Sequence, residues 1–257
     1  MCYDVKAQLE SQLKRAYRNN DPQAVDEIKK KLAPLTNLPL YHVSGFQHPV
    51  MLIYTNESPY LPVPATWGLI PHWVRDNATA KKLWNQTLNA RGQSIFEKPS
   101  FRDAAKTHRC LIYVDGFYEH HHLKSNTYPY YIHAKNEEPM ALAGLWSEWA
   151  NRETGELVNT FSIVTTLGNP LMEKIHNNPK LEGPRMPLIL PEELTDKWLV
   201  PVRDDLDKKA LQDLIRSYPQ DELDAYTVHK LRGKDYLGNV EAISEKVDYP
   251  ELQETLF

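Results

Sequence analysis

The chain has 257 residues, of which 41% are hydrophobic and 25% charged, with a formal net charge of −4. That usage supports an ordinary core without metal or disulfide staples, and the acidic balance excludes a surface built mainly to neutralise phosphate, so any nucleic-acid site must be local. Two cysteines without a Cys-x-x-Cys pair fit a reducing compartment, and no apolar run reaches the ~18 to 20 residues that cross a bilayer, so a cytoplasmic protein with no membrane partner is expected.

Val5, Leu9, Leu13, Ala16 and Tyr17 recur at spacings of three and four, which predicts an amphipathic helix ending near Asn19-Asn20. Asp21-Pro22 is an N-cap and first-turn pair for a second helix, with Ala24, Val25, Ile28 and Leu32 on one face and Pro34 as its stop. Residues 5–34 thus read as a helical hairpin. From Leu40 the texture changes to short apolar or alternating runs: Met51 to Tyr54, Cys110 to Val114, Pro129 to Ala134, Ala141 to Trp149 and Val158 to Thr166. The segment from Asn151 to Glu156 between the last two is a turn, so antiparallel pairing dominates the centre. Helices follow, one opened by Pro191-Glu192-Glu193 and carrying Leu194, Trp198 and Leu199, another over Lys208 to Ser217. With no repeat and no linker composition, one domain over 1–257 is expected, with a loose tail from about Tyr249.

Cys2 follows Met1. Removal of Met1 leaves a 1,2-aminothiol whose α-amine, with a pKa near 7.7 to 8.0, is far more often unprotonated at neutral pH than a lysine. Such an amine condenses with an aldehyde to an imine, and the thiol then adds to the imine carbon to close a thiazolidine. On its own, a cysteine at position two is an ordinary second residue. His120, His121 and His122 do not make a metal site, because neighbours on an extended segment point to opposite faces and no ligand set has the expected spacing; neither a metal nor a cofactor is expected.

Four further segments accompany Met1-Cys2: Trp67-Gly68-Leu69-Ile70-Pro71, Asn89-Ala90-Arg91-Gly92, Asp115-Gly116-Phe117-Tyr118-Glu119, and Arg185-Met186-Pro187-Leu188-Ile189-Leu190 preceded by Ile175-His176. Together and in this order they resemble the SRAP (SOS-response-associated peptidase) family, whose members are understood as abasic-site crosslinking proteins. The resemblance runs from Cys2 to about Val240. It implies an α+β fold, a largely antiparallel, distorted β-barrel with peripheral helices, in which the N-terminal hairpin is an insertion. It implies as partner single-stranded DNA containing abasic sites, bound by a monomer that becomes nucleoid-associated on DNA, and it implies no cofactor.

Residue by residue, Cys2 matches the crosslinking residue, Asn89 the amide near the reacting sugar, and Glu119 the acid that helps open the deoxyribose and moves protons. Without the motif, Glu119 reads as a solvated acid at a strand end. His176 matches a proton-shuttling imidazole. Arg91 and Arg185 match arginines that hold the DNA backbone, with a buried salt bridge as the rival reading. Thr165 and Thr166 match pocket hydrogen-bonders. Trp67 is expected to stack on DNA and Trp73 to pack in the core.

The chain departs from the family's pattern as well. Tyr3-Asp4 stands where many members have Gly-Arg, so an arginine beside the nucleophile is missing; His120 replaces a Trp and Gln93 a Glu. The function implied is a covalent shield of abasic sites, with lyase-like self-reversal by Glu119 and His176. The alternatives are a cysteine-type peptidase and a noncovalent single-strand binding module.

Overall fold

The computed structural model describes residues 3–253. Among the described residues, thirteen strands form two sheets. In chain order they are β1 (Asp4–Ala7), β2 (Leu40–Ser44), β3 (Val50–Thr55), β4 (Val63–Trp67), β5 (Asn89–Arg91), β6 (Arg109–Val114), β7 (Gly116–Leu123), β8 (Asn126–Ala134), β9 (Met140–Ala150), β10 (Leu157–Leu167), β11 (Arg185–Pro187), β12 (Ile189–Leu190) and β13 (Leu223–Thr227). The helices are α1 (Leu9–Asn19), α2 (Pro22–Leu32), α3 (Asn77–Trp84), α4 (Arg102–Thr107), α5 (Pro170–Ile175), α6 (Thr195–Leu199), α7 (Asp205–Leu214) and α8 (Pro250–Gln253).

One sheet runs β13-β8-β7-β1-β2 and is antiparallel throughout. In the other, β3 pairs with β4, β4 with β10, β10 with β9, β9 with β6, and β6 again with β3, so five strands close on themselves as a barrel. The fold is therefore α+β around a largely antiparallel barrel with peripheral helices, as the resemblance implied.

The barrel strands are apolar on both faces because both are covered. Met51, Ile53, Cys110, Ile112 and Leu142 join Val5, Phe117 and Ile132 of the five-stranded sheet in one core. The alternate residues Leu52, Tyr54, Leu111, Tyr113 and Ala143 pack under Leu13 and Ala16 of α1, Ala105 of α4 and Trp198 of α6. Strand β6 is accordingly buried at all six positions, which is why its sequence reads as an unbroken run rather than an alternation.

The hairpin begins later than the periodicity indicates. Val5 belongs to β1, paired on both sides with β2 and β7, and α1 starts only at Leu9. Asp115 sets that boundary by accepting hydrogen bonds from the Gln8 amide at 2.7 Å and the Ser11 hydroxyl at 2.6 Å. A strand edge with two partners outweighs the helical spacing of one valine. Asp21 caps α2 as expected, accepting from the amides of Gln23 and Ala24, but only Val25 of its apolar set is buried.

The late elements shift too. Glu192–Leu194 is a 3-10 turn ahead of α6, and α7 starts at Asp205 because Asp204 caps it through the amides of Leu206 and Asp207; the helix ends at Leu214 rather than Ser217. Tyr249, expected in a loose tail, is held: its hydroxyl donates to the Val228 carbonyl at 2.8 Å and its ring meets that of Tyr128 edge-on. Residues 254–257 lie outside the described residues.

Candidate functional site

The site starts at Gly116. A Cβ there would sit 2.4 Å from the Tyr131 ring and 2.6 Å from the Ile132 carbonyl oxygen, so a glycine is what lets β7 enter between β1 and β8. Side chains then alternate along β7. Phe117 enters the apolar core, Tyr118 turns to the other face and donates to the Tyr41 carbonyl at 2.5 Å, and Glu119 returns to the Phe117 face. Glu119 is only 6% exposed, which corrects its reading as a solvated acid: α5 packs on β7 and brings His176 against it. Burial, reinforced by the charge of Asp4, pushes its carboxyl up to about 7.

Helix α5 brings His176 to the same place. Asn169 caps the helix, accepting from the Met172 amide at 3.0 Å and donating to the Tyr218 carbonyl at 2.8 Å; Met172 and Ile175 are buried beneath it. His176 then ends the helix with its amide on the Met172 carbonyl at 2.7 Å. The ring is fixed by β11, since Nδ1 lies 3.3 Å from the Arg185 amide nitrogen and 3.2 Å from the Arg185 carbonyl oxygen. The same nitrogen is 3.7 Å from Glu119 Oε2. Burial lowers the imidazole to about 4. At neutral pH the pair is therefore a neutral imidazole beside a carboxyl group divided between its two forms, poised for proton transfer in either direction.

Glu119 and His176 line a cavity of about 290 Å³ whose other wall includes Tyr3, Asp4, Lys230 and Arg232. A second cleft of about 300 Å³, which shares Tyr3, runs along β5 past Asn89 and Arg91. Strand β5 lies parallel to β10, with Ile163, Val164 and Thr165 opposite Asn89, Ala90 and Arg91. Alternation buries Ala90 and leaves Asn89 and Arg91 on the cleft side.

Arg91 pairs with Glu182 at 3.2 Å, both side chains well exposed, so the rival reading of a buried salt bridge does not describe it. Among the described residues Arg185 has no acid partner: its guanidinium donates to the Thr165 carbonyl at 2.8 Å, the Thr165 hydroxyl at 3.2 Å and Gln93 Oε1 at 2.9 Å. These neutral acceptors aim the group without cancelling its charge. Burial and the neighbouring charge of Arg91 lower its pKa, the expected penalty for a partly buried cation beside a like charge.

Three expectations are corrected. Trp67 is 0% exposed: it stacks on Phe161 and donates from Nε1 to the Leu88 carbonyl at 2.8 Å, with Gly68 turning the chain at φ +118° against Trp84. It is a core residue and cannot stack on DNA. Trp73, expected in the core, is 42% exposed. Thr165 and Thr166 are buried; both sit in β10 where β11 pairs with it, and the Thr165 hydroxyl accepts from Arg185 instead of facing a cavity.

Glu119 and His176 thus share one cavity, His176, Arg91 and Arg185 a neighbouring cleft, and Arg91 and Asn89 the cleft along β5, while Cys2 lies outside the described residues. Sequence reasoning missed Lys230 and Arg232. They flank the buried Leu231, and that single alternation, far from any motif, was the only available sign. The histidines after Glu119 separate as alternation requires: His120 lines the cavity, whereas Nδ1 of His121 lies 2.9 Å from the Lys174 carbonyl oxygen. Among the described residues, no helix is long and apolar enough to cross a membrane.

A β-barrel flanked by a cleft thus places a buried acid and a buried imidazole on one cavity, with arginines beside it. Residues 1–234 match the family model described as SOS response associated peptidase (SRAP), and the chain belongs to that family. It is 37% identical over 194 residues to the abasic site processing protein YoqW of Bacillus subtilis (strain 168), covering 75% of this chain and 80% of that protein. The abasic site processing protein HMCES of Pongo abelii is 29% identical over 164 residues, covering 53% of this chain and 44% of the relative. A crystal structure of a protein from Bacteroides thetaiotaomicron superposes with a TM-score of 0.80 at 33% identity, covering 96% of this chain and all of that one.

Proposed function

We propose that this protein senses abasic sites in single-stranded DNA and shields them by forming a covalent bond through Cys2 once Met1 is removed. The observation that carries the reading is the convergence of Glu119 and His176, 3.7 Å apart and buried, with burial moving their pKa values in opposite directions. Relatives named for abasic site processing support the choice of substrate.

In the proposed sequence Glu119 gives a proton to O4′ of the abasic deoxyribose as the C1′–O4′ bond breaks, the C1′ hydroxyl proton passes to His176, and the aldehyde forms. The Cys2 amine attacks C1′ and one water leaves as the imine forms. The Cys2 sulfur then bonds to C1′ while its proton passes to nitrogen, closing a thiazolidine. His176, neutral at pH 7, accepts and returns protons, and Asn89 hydrogen-bonds the sugar. Arg91 and Arg185 hold flanking phosphates. Run backwards, the same two groups give slow, lyase-like release. No metal or cofactor is required.

The test is incubation with a single-stranded oligonucleotide carrying one abasic site, without reductant, followed by a denaturing gel. The expected product is a heat-stable adduct absent in Cys2→Ala. A wild type that binds the strand without an adduct favours a noncovalent binding module, and multiple-turnover cleavage of a foreign peptide, lost in Cys2→Ser, favours a peptidase.

A further inference from the structure

The cavity that holds Glu119 and His176 has a second, cationic wall that the proposed chemistry does not use. Leu231 is buried with Tyr118, Tyr131, Val228 and Ile243, and this anchor presents the residues on either side of it, Lys230 and Arg232, to the cavity. Arg232 Nη2 is docked 3.1 Å from Asp4 Oδ2. Asp4 is itself buried, with its other carboxylate oxygen 3.3 Å from His42 Nε2, and His42 Nδ1 is 2.9 Å from the Tyr236 hydroxyl.

The carboxylate is thus built in from behind and fixes one edge of the guanidinium. The Arg232 side chain remains 64% exposed, and Nε and Nη1 make no protein hydrogen bond among the described residues. Lys230 is likewise pre-set: its ammonium donates to the Thr127 carbonyl at 2.5 Å and lies 4.5 Å over the Tyr128 ring and 4.9 Å over that of Tyr249. A lysine whose ammonium is already held in place and an arginine clamped at one nitrogen lose little side-chain entropy on meeting an anion.

We propose that Arg232 and Lys230 form a phosphate subsite that holds the DNA backbone on the side of the abasic sugar opposite Arg91 and Arg185. The inference rests on the function proposed above and names a second backbone contact of the same site. Asp4 is then a positioning residue: its charge costs some attraction for phosphate and returns a fixed guanidinium geometry. The strand would cross the cavity with the reacting sugar between two cationic walls, and this placement explains how a chain of net charge −4 concentrates its positive potential where the strand lies.

The test uses abasic single strands in which the linkage 5′ or 3′ of the abasic sugar is an uncharged methylphosphonate. With the wild-type protein, neutralising one linkage next to the cavity wall should slow capture at subsaturating DNA by about tenfold. Arg232→Gln should slow capture of the natural strand similarly, become indifferent to that methylphosphonate, and lower the slope of log affinity against log salt by about 1. Lys230→Gln repeats the test without touching the partner of the buried Asp4.

Wild-type indifference to both methylphosphonates, or discrimination that survives in both variants, overturns the subsite. If the natural strand gives no adduct at all, the covalent reading fails instead. Equilibrium binding of the same strands, followed by fluorescence anisotropy, still reads the subsite in that case.

Discussion

Two of the regions that bury polar side chains do so to opposite ends. Under α1, Gln12 donates to the Tyr113 carbonyl and accepts from the Leu52 amide, while Arg15 donates to the Pro59 carbonyl, the Thr195 hydroxyl and Asp196. Each group meets a partner fixed by the fold, so the helix is locked onto the barrel and nothing there is left to react. Where α5 meets β7, Glu119 and His176 are also buried but border a cavity, and burial makes the charged form of each expensive. Matched burial holds structure; burial beside open space stores reactivity.

The comparison can be broken by exchanging the expected consequences. The largest effect should come from Trp67→Ala, which empties a fully buried site and removes one of the two hydrogen bonds to the Leu88 carbonyl, leaving that of the Ile163 amide. Chemical denaturation should show a loss of about 3–5 kcal/mol, and a small loss would return Trp67 to the list of candidate DNA contacts. Next, Glu119→Gln should slow adduct formation at saturating DNA by about 100-fold or more while leaving the protein folded. An unchanged rate would remove Glu119 from the chemistry.

Stability against pH should change in the same variant. The folded-state pKa of Glu119, about 7 against an ordinary 4.5, means the folded protein keeps a proton that the unfolded chain has released. Its contribution is therefore fully present below about pH 4.5 and lost as pH rises through about 7. His176 works in reverse: with its pKa lowered from 6.5 to about 4, its contribution is present above pH 6.5 and lost as pH falls through about 4. Denaturation of Glu119→Gln at pH 5 and pH 8 should lack the wild-type difference assigned to Glu119.

Arg15→Ala sharpens the contrast from the other side. It should cost about 2–3 kcal/mol of stability through lost hydrogen bonds and packing with no change in the adduct rate per folded molecule. A slowed rate would tie α1 to the site. The smallest effect should come from Glu182→Gln: Arg91 faces Glu182 across 3.2 Å at the surface, so removing that charge should tighten DNA capture by a few-fold at low salt, in keeping with the modest worth of exposed pairs.

Four of the five barrel strands were legible in the sequence as short apolar or alternating runs bounded by turn formers, and the β9–β10 hairpin announced itself through Asn151 to Glu156, whereas β4, with Pro64 inside it, was not legible as a strand. The boundaries failed where a distant residue decides them: Asp115 delays α1 until Leu9, and no local pattern around Val5 carries that information. The positions of Asn89, Arg91, Glu119 and His176 followed from motifs rather than periodicity, and the structure gathers them. Trp67 was misjudged because an aromatic beside a glycine and a proline looks the same whether it faces solvent or, as here, Phe161. Arg232 was invisible because its meaning depends on Asp4, 228 residues away in the chain.

The most direct measurement is intact mass spectrometry of the purified protein before and after incubation with a single-stranded oligonucleotide bearing one abasic site. The account predicts a protein lacking Met1 that gains the mass of the oligonucleotide minus one water, with no gain in Cys2→Ala and a slow gain in Glu119→Gln. A correctly processed, folded protein that gains no mass would contradict it.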